Sequence, residues 1–226
     1  MKRIQLIIAF LFCSGVISAQ VPPAFYEDIQ AFKKQDKDSM PPKDAILFVG
    51  SSSFTKWTDV QDYFPKHIII NRGFGGSTLQ DVAYYAKQII IPYHAKQIVI
   101  YCGENDLANS EETTAQMVLE RFKKLFDIIR KDNPAVPVAF ISLKPSPSRK
   151  HLWNKMKETN RLIKKYLRTK KKTVFIDVYH KMFNKNIFHN CSIFIKHFMI
   201  HIYKNCFLFF AEISFNKKIG LSHFRP

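Results

Sequence analysis

The sequence predicts a three-layer α/β/α domain built on a parallel sheet. Short apolar runs alternate with helical patterns along the chain, and the glycines collect just behind those runs. With 226 residues, 46% of them hydrophobic, the chain can bury one ordinary core without disulfides or metals.

The first segment is expected to leave the mature protein. Lys2 and Arg3 precede a mostly apolar stretch from Ile4 to Ile17, and Ile17-Ser18-Ala19 ends in a small residue before Gln20. That pattern is a signal peptide over residues 1–19, and it predicts export to a periplasmic or extracellular location. The run is too short for a good membrane span. Phe12 before Cys13 argues against a lipidated cysteine, since a small residue is expected there.

Residues 20–43, marked by Pro22-Pro23 and Pro41-Pro42, read as an N-terminal linker or helix. The domain proper is placed at 44–182. Its strands are expected at Ala45–Val49, His67–Asn71, Gln97–Cys102, Val136–Leu143 and Thr173–Val178, each short, rich in Ile, Val or Phe, and bounded by turn residues. Helices are expected at Leu79–Gln88, Glu112–Lys131 and Lys150–Leu167. The second shows Met117, Leu119, Phe122, Leu125, Phe126 and Ile129 at three- and four-residue intervals, with Pro134 beyond its end. Strands alternating with helices in this order imply a flavodoxin-like sheet, whose chemistry gathers at the carboxyl ends of the strands.

Those ends are where the glycines lie. Of seven, Gly50, Gly73, Gly75, Gly76 and Gly103 follow three of the predicted strands, so three loops are shaped by backbone needs. The loops read Gly50-Ser51-Ser52-Ser53, then Asn71-Arg72-Gly73-Phe74-Gly75-Gly76-Ser77-Thr78, then Gly103-Glu104-Asn105-Asp106. Taken singly, the serines make an ordinary strand-terminating turn and the third loop an Asx turn.

Taken together and in this order, the three loops resemble the SGNH hydrolases, or GDSL-type esterases, over roughly residues 44 to 180. The resemblance implies an SGNH hydrolase-like fold and acyl transfer, which needs a nucleophile and fixed donors for the oxyanion. It makes Ser52 the nucleophile. The backbone N–H groups of Ser52 and Gly76 and the side-chain amide of Asn105 would form the oxyanion hole. Ser51 stands where that family usually carries an aspartate, which removes a charged buttress. Asp106 is expected to hold its loop. Arg72, Phe74 and Trp57 flank these loops, and the two aromatics are read either as walls of the cleft or as core residues beneath it.

A serine hydroxyl also needs an oriented base. The family supplies it from an Asp-x-x-His block on a loop after the last strand. Asp177-Val178-Tyr179-His180 has that spacing but comes too early, at the strand's own end. In a continuing strand the two side chains would face opposite ways; a turn after Val178 would bring them together. Asp177 and His180 are therefore weaker candidates, with a strand-end aspartate and a surface histidine as the favoured reading. Beyond Asp177 the only carboxylate is Glu212.

Residues 183–226 read as foreign to the rest. Nine of the 21 phenylalanines fall there, with no helical stripe or bounded strand. A shift of reading frame near codon 183 would explain the change, and would have removed the catalytic Asp-x-x-His loop. An exposed Phe-rich tail of this kind favours aggregation or adsorption to membranes. His189, His197, His201 and His223 have no carboxylate beside them and are not taken as the base.

Composition narrows the alternatives. The net charge of +17 comes from 35 Lys and Arg against 18 Asp and Glu, largely on predicted helix surfaces such as Lys123, Lys124, Lys155, Lys157, Lys164 and Lys165. Without a nucleic-acid motif, and in an exported chain, a solvated basic face is expected, with peripheral membrane or anionic-glycan contact open to it. The mean hydropathy of −0.15 excludes a multi-span membrane protein. After loss of Cys13, the three cysteines Cys102, Cys191 and Cys206 lack the spacing of a disulfide framework or zinc site. No cofactor or metal is expected. The expected substrate is a small ester, acetyl or short acyl, on a carbohydrate or lipid. Two readings stand against an active esterase: a non-catalytic carbohydrate- or envelope-binding remnant, and the product of a disrupted gene.

Overall fold

In a computed structural model, which describes residues 22–184, five short strands form one sheet. They are β1 (Ile46–Gly50), β2 (Ile69–Gly73), β3 (Gln97–Tyr101), β4 (Val138–Ile141) and β5 (Thr173–Ile176). All neighbours pair parallel, in the order β2-β1-β3-β4-β5. The chain steps from β1 to β2 on one side, then crosses back to lay β3 on the other side of β1. The crevice at the carboxyl ends of β1 and β3 is therefore a topological switch point.

Side-chain alternation splits the core in two. Leu47 and Val49 face one cluster, Ile46 and Phe48 the other. The first cluster holds the apolar stripes of α3 (Leu79–Ile89), α5 (Ala115–Asp132) and α6 (Trp153–Arg168). The second packs α2 (Ser52–Thr55), the 3-10 turn Val60–Tyr63 and α7 (Tyr179–Asn184) against the sheet, through Phe54, Trp57, Val60, Phe64, Val178 and Met182. This is the three-layer α/β/α arrangement that the sequence predicts.

Local chemistry sets the helix starts. Thr78 caps α3, accepting from the Asp81 N–H while the Asp81 carboxylate accepts from the Thr78 N–H, a reciprocal box. Thr114 caps α5 through the Met117 N–H, so that helix begins three residues later than the apolar periodicity alone suggests. At the expected start of α6, Pro147–Leu152 instead form a 3-10 segment, with Arg149 at φ −117° and ψ 28°.

The segment read as linker or helix contains α1 (Tyr26–Asp38), whose Ile29 is fully buried in the first cluster. Arg72 at the end of β2 pairs with Asp36 of α1, and its Nε donates to the Tyr93 hydroxyl at 2.6 Å. Tyr93 donates in turn to Asp36 Oδ2 at 2.5 Å. The helix is thereby tied to the sheet rather than standing apart as a linker. Among the described residues no helix is long and apolar enough to cross a membrane. The expected signal peptide, and all but the first two residues of the segment read as an atypical tail, lie outside the described residues.

Candidate active site

The three glycine loops meet at the carboxyl ends of β1, β2 and β3. Gly50 ends β1 at φ +146°, and a Cβ there would lie 2.0 Å from the Tyr101 carbonyl oxygen. Only glycine lets the first loop run this close to β3. The Gly50 carbonyl then accepts from the Phe74 N–H at 2.9 Å and from the Ser77 hydroxyl at 3.3 Å, which fastens the second loop to the first. Gly76 adopts φ +87°, and a Cβ there would meet only the Phe25 ring at an ordinary 3.7 Å, so its requirement is conformational.

Ser51 is buried at 6% exposure, and its backbone N–H donates to the Tyr101 carbonyl at 3.0 Å. Ser52 is half-buried at the first position of α2, where a backbone N–H has no acceptor within its own helix. Asn105 lies in α4 (Glu104–Ala108), directly after β3, in a stretch that reads as a loop in the sequence. Its Nδ2 donates to Ser51 Oγ at 2.7 Å and to the Ser77 carbonyl at 3.0 Å. One amide thus binds the first loop, the second and the third.

Asp106 holds its loop, as expected. Its Oδ2 accepts from the Leu79 N–H and its Oδ1 from Arg121, both at 2.9 Å. Burial raises its carboxyl pKa, against the pull of those two donors. Cys102 is buried against Ser77, and its thiol pKa is raised well above the ordinary value, chiefly by burial and then by Asp106.

Sequence reasoning missed a charged cluster behind Asn105. Glu104 accepts from the Lys144 N–H at 3.0 Å, lies 3.1 Å from Lys144 Nζ and 3.3 Å from Arg149 Nη1, and is hydrogen-bonded by the Tyr101 hydroxyl. Burial opposes its ionisation, but Lys144, Tyr101 and Arg149 outweigh that and hold its carboxyl below the usual range. Arg149 also donates through Nη2 to Asn105 Oδ1 at 2.7 Å. Only the spacing of Lys144 and Arg149 behind an apolar strand could have hinted at this.

Other candidates fall elsewhere. Trp57 and Phe74 are core residues, at 2% and 0% exposure, and Arg72 is consumed by Asp36 and Tyr93. The chain does turn after β5, so Asp177 and His180 meet. His180 Nδ1 lies 2.8 Å from Asp177 Oδ2, and the His180 N–H donates to Asp177 Oδ1 at 3.1 Å. This pair is partly exposed and stands three strand positions from β1, an offset of roughly 14 Å at the usual strand spacing. Ser52, Gly76 and Asn105 share one crevice; Asp177 and His180 stand apart from it.

No family model and no curated protein matches this sequence. Solved structures do match. A member of the lipolytic protein G-D-S-L family from Veillonella parvula is 15% identical at a TM-score of 0.61, covering 71% of this chain and 96% of that one. A lipase/acylhydrolase from Enterococcus faecalis is 16% identical at 0.59, covering 72% and 94%. A GDSL-like lipase from Bacteroides thetaiotaomicron is 19% identical at 0.58, covering 68% and 79%. The chain therefore has an SGNH hydrolase-like fold.

Proposed function

We propose that the chain is an exported ester hydrolase of the GDSL type, acting on a small acetyl or short acyl ester of a carbohydrate or lipid. The observation that carries this reading is the Asn105 amide, joined to Ser51 at 2.7 Å beside the half-buried Ser52 at the switch point. Ser52 Oγ attacks the ester carbonyl, and the backbone N–H groups of Ser52 and Gly76 with Asn105 Nδ2 receive the oxyanion. Collapse of the tetrahedral intermediate expels the alcohol and leaves acyl-Ser52; water then releases the acid. Loss of one oxyanion donor in such a site costs about 10²–10³ in kcat.

Turnover is reduced, because the Asp177–His180 pair lies apart from Ser52, at the far end of the sheet from β1. A triad works as a unit, so without its base mainly binding and oxyanion stabilisation are left. One observation favours a second reading, a non-catalytic glycan-binding remnant. Both hydrogens of the Asn105 amide are already taken, by Ser51 and by the Ser77 carbonyl.

Hydrolysis of p-nitrophenyl acetate by the mature chain and by Ser52→Ala decides between them. Activity lost with Ser52 supports the esterase. Equal rates in two folded proteins overturn it in favour of the binding remnant.

A further inference from the structure

We infer that Arg149 is a positioning residue for the oxyanion donor Asn105, an inference that rests on the esterase reading above. A primary amide can sit in its pocket two ways round, exchanging a donor for an acceptor. Two neighbours of fixed polarity settle which way Asn105 lies. The Arg149 guanidinium is donor-only and sits 2.7 Å from one end of the amide, which must be Oδ1. The Ser77 carbonyl is acceptor-only and sits 3.0 Å from the other end, which must be Nδ2.

The guanidinium does more than choose the rotamer. A cation on the carbonyl end draws charge from the amide and strengthens its N–H groups as donors, more so at a buried site. Asn105 is 8% exposed. Arg149 is itself held by Glu104, whose carboxylate is fixed by Lys144 and Tyr101. The loop after β4 thus sets the donor presented by the loop after β3. Neither Glu104 nor Arg149 needs to touch the substrate for this.

The test uses p-nitrophenyl acetate kinetics with the full mature chain. Arg149→Met is expected to lower kcat about 10- to 100-fold with KM within about threefold, less than the full loss of an oxyanion donor. Arg149→Lys, which keeps one charged donor, is expected to recover part of the rate. In an Asn105→Ala background, Arg149→Met is expected to cost nothing further, since its effect passes through Asn105. Additive losses, or an equal loss in kcat and in thermal stability with no rescue by Lys, overturn the proposal.

A second readout does not depend on turnover. The side-chain amide NMR signals of Asn105, identified by their disappearance in Asn105→Asp, should shift strongly in Arg149→Met. Unmoved signals overturn the positioning role. If Ser52→Ala hydrolyses ester as well as the parent, the esterase reading fails, and the amide signals still decide whether Arg149 fixes Asn105.

Discussion

His180 Nδ1 lies 2.8 Å from Asp177 Oδ2 at the carboxyl end of β5, a paired imidazole and carboxylate at the wrong edge of the crevice. The spacing of a catalytic pair is met, but the position is not, because α7 begins at Tyr179 and the chain leaves the sheet at once. His180→Gln is therefore expected to change Ser52-dependent ester hydrolysis by less than about threefold. Added imidazole, a diffusible base, is expected to accelerate the parent beyond its effect on Ser52→Ala. A collapse of activity in His180→Gln would place the base at this pair and refute the separation.

Ser51 holds an Asn105 amide hydrogen that the proposed oxyanion would need. Its hydroxyl occupies one amide hydrogen at 2.7 Å. Removing it in Ser51→Ala gives up one buried hydrogen bond, worth about 1 kcal/mol, and frees that hydrogen for an oxyanion. The variant is expected to unfold at slightly lower urea yet keep or raise its rate with p-nitrophenyl acetate. A loss of rate as complete as that of Ser52→Ala would show that turnover needs the Ser51 hydroxyl and would refute the competition for the amide.

Glu104 contributes to stability on the acid side. Its folded pKa lies below the ordinary 4.5, so its contribution is complete above that pH and is lost as pH falls through the folded value. Thermal unfolding followed from neutral pH downward should show the parent losing stability below about pH 4.5 more steeply than Glu104→Gln. Parallel curves for the two proteins would remove Glu104 from that role.

The sheet was legible because buried parallel strands leave near-continuous apolar runs, as in Ala45-Ile46-Leu47-Phe48-Val49. Their ends shifted by no more than two residues, where backbone closeness, not hydrophobicity, decides pairing: Gly50 and Gly73 are matched partners in β1 and β2. The serine and glycine loops were legible as well, since positive φ and close approach demand particular residues. The part played by Arg72 was not legible, because its partner, Asp36, lies far upstream in a helix that buries little beyond Ile29. Arg149 carried almost no signal beyond its place behind an apolar strand. Its importance comes from Asn105 and Glu104, which only the fold brings to it.

The tie between α1 and the sheet should be measurable on its own. Side-chain exposure is 8% at Arg72 and 16% at Asp36, so Asp36→Asn leaves a guanidinium poorly compensated in a mostly buried place. Breaking such a pair costs about 3 kcal/mol. The midpoint of urea unfolding is expected to fall accordingly. Ester hydrolysis at low urea should persist, since α1 supplies no residue to the crevice described here. A variant as stable as the parent would mean the pair contributes little net free energy.

Tyr93 extends that prediction to alkaline pH. Burial, followed by its hydrogen bond to Asp36, pushes its pKa up to about 12, against the opposing influence of Arg72. The folded protein therefore holds this proton where the unfolded chain, titrating near the ordinary 10.0, has begun to release it. A raised folded pKa means a contribution that is complete below pH 10 and lost as pH rises toward about 12. Unfolding temperature is expected to decline over that window in the parent and less steeply in Tyr93→Phe. Tyr101 also titrates late, because burial and Glu104 raise it well above the ordinary value. The comparison must then be the difference between parent and variant, read by ultraviolet absorbance of tyrosinate. One tyrosine missing from the late-titrating set of Tyr93→Phe is the expected result, and a difference confined to pH near 10 would show that the α1 tie does not hold the Tyr93 proton.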